Sequence, residues 1–241
     1  MDKLTFGSLF AGIGGFDLGF ERAGMVCKWQ VEINDYATRV LAKHWPSVHR
    51  ERDIRECGSH NLKAVDVICG GFPCQDISYA GRGAGLDGER SGLFFEALRV
   101  VCELQPRAVV LENVAGLLTR GLDRVLGSLA EIGYDAEWDC LPASAFGAHF
   151  RGDRVFIIAH NSASSCLRRQ GKWSNPSRAF AEHEFTRLVE RELQLCVPAG
   201  KGQRISDGVP HRVDRLRGLG NAVVPQVAEY VGQRVVEVLT A

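Results

Sequence analysis

Short apolar runs in this chain end again and again in glycine or in a single charged residue, with stretches of helical spacing between them. Runs at Leu4 to Leu9, Gln30 to Ile33, Val65 to Cys69, Ala108 to Leu111 and Arg154 to Ala159 read as strands. Phe16 to Ala23 and Leu93 to Leu104 read as helices. This alternation predicts an open α/β sheet, in which ligands bind beyond the carboxyl ends of the strands. Chemistry is therefore expected at Phe10 to Gly15, Glu32, Gly70 to Gln75 and Glu112-Asn113.

A further helix is predicted over Pro225 to Leu239, whose stripe of Val227, Tyr230, Val231, Val235, Val238 and Leu239 should dock on the sheet. Between His160 and Val213 the pattern weakens, apart from a helix-like stretch near Glu182 to Leu195. The expected organisation is a main domain of residues 1–160 plus 214–241, with a small inserted lobe at 161–213. Formal charge is zero overall but unevenly spread. Residues 151–217 hold 13 Lys and Arg against 7 Asp and Glu, and the rest holds 16 against 22. A basic subregion on an acidic body suits a surface that meets phosphates. The first residues lack the basic start and apolar length of a signal or membrane segment, so a cytoplasmic protein is expected. Eight scattered cysteines without CxxC pairs indicate neither a zinc site nor a disulfide scaffold.

Two features at the first strand ends point to a cofactor. The turn Phe10-Ala11-Gly12-Ile13-Gly14-Gly15 lets backbone approach a ligand before a helix begins. Glu32 is placed to accept hydrogen bonds from ribose hydroxyls. Together they indicate an adenosine-containing cofactor and leave a nicotinamide-dependent dehydrogenase open. Gly70-Gly71-Phe72-Pro73-Cys74-Gln75 sets a thiol on a turn after a buried strand, where it can project into a cleft. A thiol is the strongest protein nucleophile once deprotonated. The next strand end carries Glu112 and Asn113. A glutamate with a raised pKa has a specific use beside a cysteine: C6 of cytosine accepts a nucleophile only when N3 is protonated or strongly hydrogen-bonded.

With these residues in place, the sequence closely resembles the cytosine-C5 DNA methyltransferase family. The family's motifs occur in order: Phe10 to Gly15, Glu32, Asp53-Ile54, Pro73-Cys74-Gln75, Glu112-Asn113-Val114, Arg154 and Gly220-Asn221-Ala222-Val223. The resemblance implies a Rossmann-like methyltransferase sheet with a small recognition lobe, in a compact bacterial or phage-type member. It implies S-adenosylmethionine as cofactor, bound by Phe10, Gly12, Gly14, Glu32, Ile33, Asp53, Ile54, Leu93, Asn221 and Val223. Cys74 matches the nucleophile, Glu112 the N3 proton donor and Arg154 the arginine that holds the base, with Asn113 beside them. Gln75, Ser78, Arg151, Arg168 and Arg169 are the expected DNA contacts, and no metal is implied. Double-stranded DNA is the expected partner, with the target base flipped out and the 76–92 segment closing over it. Monomeric action and a cognate restriction endonuclease as functional partner also follow from the resemblance.

One departure stands out. Where the family has Gln-x-Arg-x-Arg, this chain reads Phe150-Arg151-Gly152-Asp153-Arg154, so only the last arginine matches and Arg151 is a candidate substitute. The alternatives are a cytosine-C5 methyltransferase acting on transfer RNA, and a silent DNA-binding relative, against which Cys74, Glu112 and Asn113 together argue.

Overall fold

The computed structural model describes residues 2–73, 92–148, 150–161 and 222–240. Its centre is a seven-stranded sheet in the order β3-β2-β1-β4-β5-β7-β6. The strands are β1 (Thr5–Leu9), β2 (Val26–Val31), β3 (His49–Glu51), β4 (Val67–Gly71), β5 (Ala108–Val114), β6 (Tyr134–Pro142) and β7 (Asp153–Asn161). Strands β1 to β5 run parallel. β7 lies antiparallel between β5 and β6.

The described helices are α1 (Gly15–Arg22), α2 (Asp35–His44), α3 (Gly92–Leu104), α4 (Leu122–Glu131) and α5 (Pro225–Thr240). Side chains alternate across the pleat, so the central strands feed two cores. On one face Ile68, Leu111 and Ile157 meet Phe94 and Val101 of α3 and Val125 and Leu129 of α4. On the other, Cys69, Val110, Phe156 and Ile158 meet Phe16 and Phe20 of α1 and Val227, Val231 and Val235 of α5. The predicted apolar stripe of the last helix thus docks as expected, except that Tyr230 is only partly buried against this core.

Helices α1 and α5 approach closely because glycine lines their contact. A Cβ at Gly19 would fall 2.6 Å from the Pro225 carbonyl oxygen and against the Ala228 Cβ, and one at Gly15 would strike the Val223 carbonyl oxygen.

The five predicted strands and three predicted helices all form, with shifted ends. β2 starts four residues earlier than expected and β5 runs three further, to Val114. Gly70, Gly71, Glu112 and Asn113 therefore lie inside strands and not beyond them, a correction to the expected placement. β3, β6, α2 and α4 were not predicted. Of the expected lobe only Asn161 is described, as the last residue of β7; residues 162–213 lie outside the described residues.

Candidate active site

The glycine turn after β1 is held open by backbone conformation. Phe10, Gly12 and Gly14 have φ of 53°, 56° and 91°, in the left-handed region that costs a Cβ-bearing residue such as Phe10 about 1 kcal/mol or more. A Cβ at Gly12 would meet nothing nearer than the Phe10 carbonyl oxygen at 4.0 Å, so space lies open over the turn.

Glu32 follows β2 and ties the turn to the neighbouring strand end. Its Oε2 accepts from the Gly12 backbone N–H at 2.7 Å, and its Oε1 accepts from that of Asn34 at 2.8 Å. Each oxygen keeps a lone pair for a further donor. Ile33, next in the chain, is 61% exposed, a large apolar side chain set beside the turn. Glu32 N–H also donates to the Glu51 carbonyl, which brings the following Asp53 and Ile54 to the adjacent strand end.

Asp53 accepts from the Arg55 backbone N–H at 3.0 Å and from its guanidinium, and these bonds hold its carboxyl below the usual range. Ile54 is buried in the core against which Phe10 and Leu93 pack. Val223 sits on the opposite side of the turn, against Gly15. An open glycine turn, a carboxylate with free lone pairs and flanking apolar side chains fit an adenosine-bearing cofactor.

The second cluster forms where β4, β5 and β7 run side by side. Register pairs Glu112 with Gly71 on one side and Phe156 on the other, and Val114 with Arg154. A Cβ at Gly71 would come within 2.7 Å of Glu112 Oε2, so glycine there leaves the carboxyl its room. Arg154 Nε meets Glu112 Oε1 at 2.9 Å. Glu112 is 8% exposed, and burial pushes its carboxyl up to about 7 despite the attraction of Arg154. Desolvation outweighs the ion pair here, and a carboxyl poised near neutrality can hold or give a proton.

Asn113 faces the other way and braces the residues that follow β4. Its Nδ2 donates to the Phe72 carbonyl at 3.4 Å, and its Oδ1 accepts from the Val114 N–H at 2.9 Å. Pro73 is the last described residue before Cys74; Cys74, Gln75, Ser78, Arg168, Arg169 and Asn221 lie outside the described residues.

The Arg151 side chain is 84% exposed, with Nε on the Asp153 carboxylate at 2.9 Å, while Arg154, of the two, reaches Glu112. The ring of Phe150 lies over Gly152, where a Cβ would fall 2.5 Å from it. Sequence reasoning missed the buried polar group of Ser8, Asp17 and Gln30. The available signal was a glutamine set between the apolar Trp29 and Val31 in β2.

The sheet order, its reversed β7 and the paired strand-end sites define a Rossmann-like methyltransferase fold. Residues 4–201 match the family model described as C-5 cytosine-specific DNA methylase, and the chain belongs to that family. It is 36% identical over 223 residues to the type II methyltransferase M.BsuFI of Bacillus subtilis, covering 88% of this chain and 53% of that protein. It is 37% identical over 163 residues to M.HgiBI of Herpetosiphon aurantiacus, covering 66% of this chain and 37% of that one. The chain thus spans about half or less of the length of these curated relatives. Among solved structures, the Entamoeba histolytica methyltransferase EhMeth superposes with a TM-score of 0.69 over 99% of both chains. At 13% identity that likeness bears on the fold alone.

Proposed function

We propose that this chain methylates C5 of cytosine in double-stranded DNA, with Cys74 as nucleophile and S-adenosylmethionine as donor. The observation that carries the reading is the buried Glu112, paired with the half-buried Arg154 beside Gly71, three residues before Cys74. The cofactor, when bound at the glycine turn and Glu32, supplies an electrophilic methyl group. Glu32 binds through its free lone pairs, Ile33 flanks the adenosine, and Phe10, Asp53, Ile54, Leu93, Asn221 and Val223 complete the pocket.

The target base leaves the helix, because its C5 and C6 cannot be reached inside a duplex. The Cys74 thiolate then forms a bond to C6 while Glu112 gives its proton to N3. Arg154, fixed on Glu112, holds the base. C5, now electron-rich, would take the methyl group, with S-adenosylhomocysteine as the leaving group; N3 returns its proton to Glu112, water takes the C5 proton, and the C–H electron pair forms the C5–C6 double bond as the C6–sulfur bond breaks and restores the Cys74 thiolate. Asn113 holds the Phe72 carbonyl, two residues before Cys74.

Gln75, Ser78 and Arg151 contact DNA around the flipped base, and Arg168 and Arg169 belong to a recognition lobe over 161–213. The enzyme acts as a monomer in the cytoplasm and has a restriction endonuclease as functional partner. Family membership and the type II methyltransferase relatives support the DNA reading. Among the described residues no helix is long and apolar enough to cross a membrane. Bisulfite sequencing of duplex DNA incubated with the purified chain and S-adenosylmethionine tests the reading. Cytosines in a recurring sequence context should resist conversion, and uniform conversion would contradict it.

A further inference from the structure

A carboxylate lies buried beneath the glycine turn, outside the chemistry assigned above. Asp17, in the first turn of α1, is fully buried. Its Oδ2 accepts from the Ser8 hydroxyl at 3.1 Å, and its Oδ1 accepts from Gln30 Nε2 at 2.8 Å and the Cys27 thiol at 3.5 Å. All three donors are uncharged. The irregular register of β1 on β2, where Phe6 pairs with Cys27 but Gly7 with Trp29, skips Lys28 and lets both Cys27 and Gln30 meet Asp17.

These partners sit at informative positions. Ser8 lies two residues before Phe10, and Gln30 lies two before Glu32. Gln30 Oε1 in turn accepts from Arg50 Nη1 at 3.0 Å, and the same nitrogen donates to the Trp45 carbonyl at 2.6 Å. The Trp45 ring closes on Gly14, where a Cβ would fall 2.5 Å from it. One hydrogen-bonded chain therefore reaches the end of β1, the end of β2, the start of α1 and the outer wall of the glycine turn.

We infer that Asp17 is a positioning residue for the cofactor pocket, its bonds to Ser8 and Gln30 fixing the distance between the glycine turn and Glu32. The inference rests on the reading of that pocket as an S-adenosylmethionine site. For the fold alone the arrangement is unfavourable: taking a carboxylate out of water without a cation costs free energy that a wholly apolar cluster at the same place would not incur. What the carboxylate supplies is geometry, because both its oxygens are held by donors from different strands.

The test uses the full chain and two substitutions, with titration calorimetry against S-adenosylmethionine and, separately, S-adenosylhomocysteine, which lacks the sulfonium charge. Asp17→Leu strands the Ser8 and Gln30 donors and should lower the ligand-free melting temperature, and, measured well below that temperature, should weaken binding of both ligands by about tenfold or more. Asp17→Asn, which keeps an acceptor for Gln30, should bind within about threefold of wild type. A Leu variant that binds both ligands like wild type would overturn the inference, as would a Leu variant weakened only toward the charged ligand. Should Asp17→Leu not fold, Gln30→Met carries the same test, because it cuts the bridge on the β2 side. Wild-type protein that binds neither ligand would instead remove the cofactor reading itself, and the inference with it.

Discussion

Glu112 carries two opposing demands on one carboxyl group. Burial disfavours its charge and Arg154 favours it, and burial dominates, leaving the group near pH 7. An acid whose pKa rises on folding stabilises the native state most below its unfolded pKa and loses that contribution as pH climbs through the folded value. From 4.5 to about 7 the loss is on the order of 3 kcal/mol. Chemical denaturation of wild type and Glu112→Gln should therefore show the Gln variant gaining on wild type between pH 4.5 and pH 7.5, with little further change above; a pH-independent difference would refute the shift. The same substitution removes the proton for N3 and should lower kcat about a hundredfold or more with cofactor binding intact. Glu112 was legible in the sequence as a functional acid because a glutamate at the end of an apolar strand, beside a second strand that leads to a thiol, has a specific use. The partner of Glu112, the brace from Asn113 to Phe72 and the whole Asp17 node were not, since each depends on which side chains the strand register brings face to face.

At the scale of elements, the site exists because glycine occurs where strands and helices must crowd. Gly71 makes room for Glu112 between two parallel strands, and Gly15 and Gly19 let α5 lie directly on α1 beneath the cofactor turn. Gly19→Ala should then destabilise the fold by about 1–3 kcal/mol even though alanine is the better helix former. Gly127→Ala, in α4 with nothing within 4 Å of the new Cβ, should instead stabilise it by about 0.5–1 kcal/mol. Thermal melts of the two variants check both signs, and equal effects would contradict the packing account. The parallel central strands were readable because they are buried on both faces and so continuously apolar. β3 is three residues of mostly polar character that hold together only by pairing with β2. β6 is an edge strand whose Asp135, Glu137 and Asp139 break the apolar run that marks the others. α2 did carry a start signal, since the Asn34 side chain caps the Ala37 N–H, but its only buried residues are Ala37 and Leu41.

For the whole molecule, the sheet brings two clusters to the carboxyl ends of its parallel strands: the glycine turn with Glu32 over β1 and β2, which we propose holds the cofactor, and Glu112 with Arg154 where β4 and β5 meet the reversed β7. On the proposed reading, the first cluster holds the methyl donor and the second the target base. On the same reading, the excess of Lys and Arg over Asp and Glu in the 151–217 sequence belongs to the part of the chain that meets phosphates. The central claim is that catalysis passes through a covalent bond from Cys74 to C6 of cytosine. Duplex DNA carrying 5-fluorocytosine tests it most directly, because fluorine cannot leave C5 as a proton does and the bond to the enzyme persists. Wild type should form a denaturation-resistant protein–DNA adduct only when S-adenosylmethionine is present, and Cys74→Ser should form none. Absence of the adduct from active wild type, or its survival in the serine variant, would contradict the account.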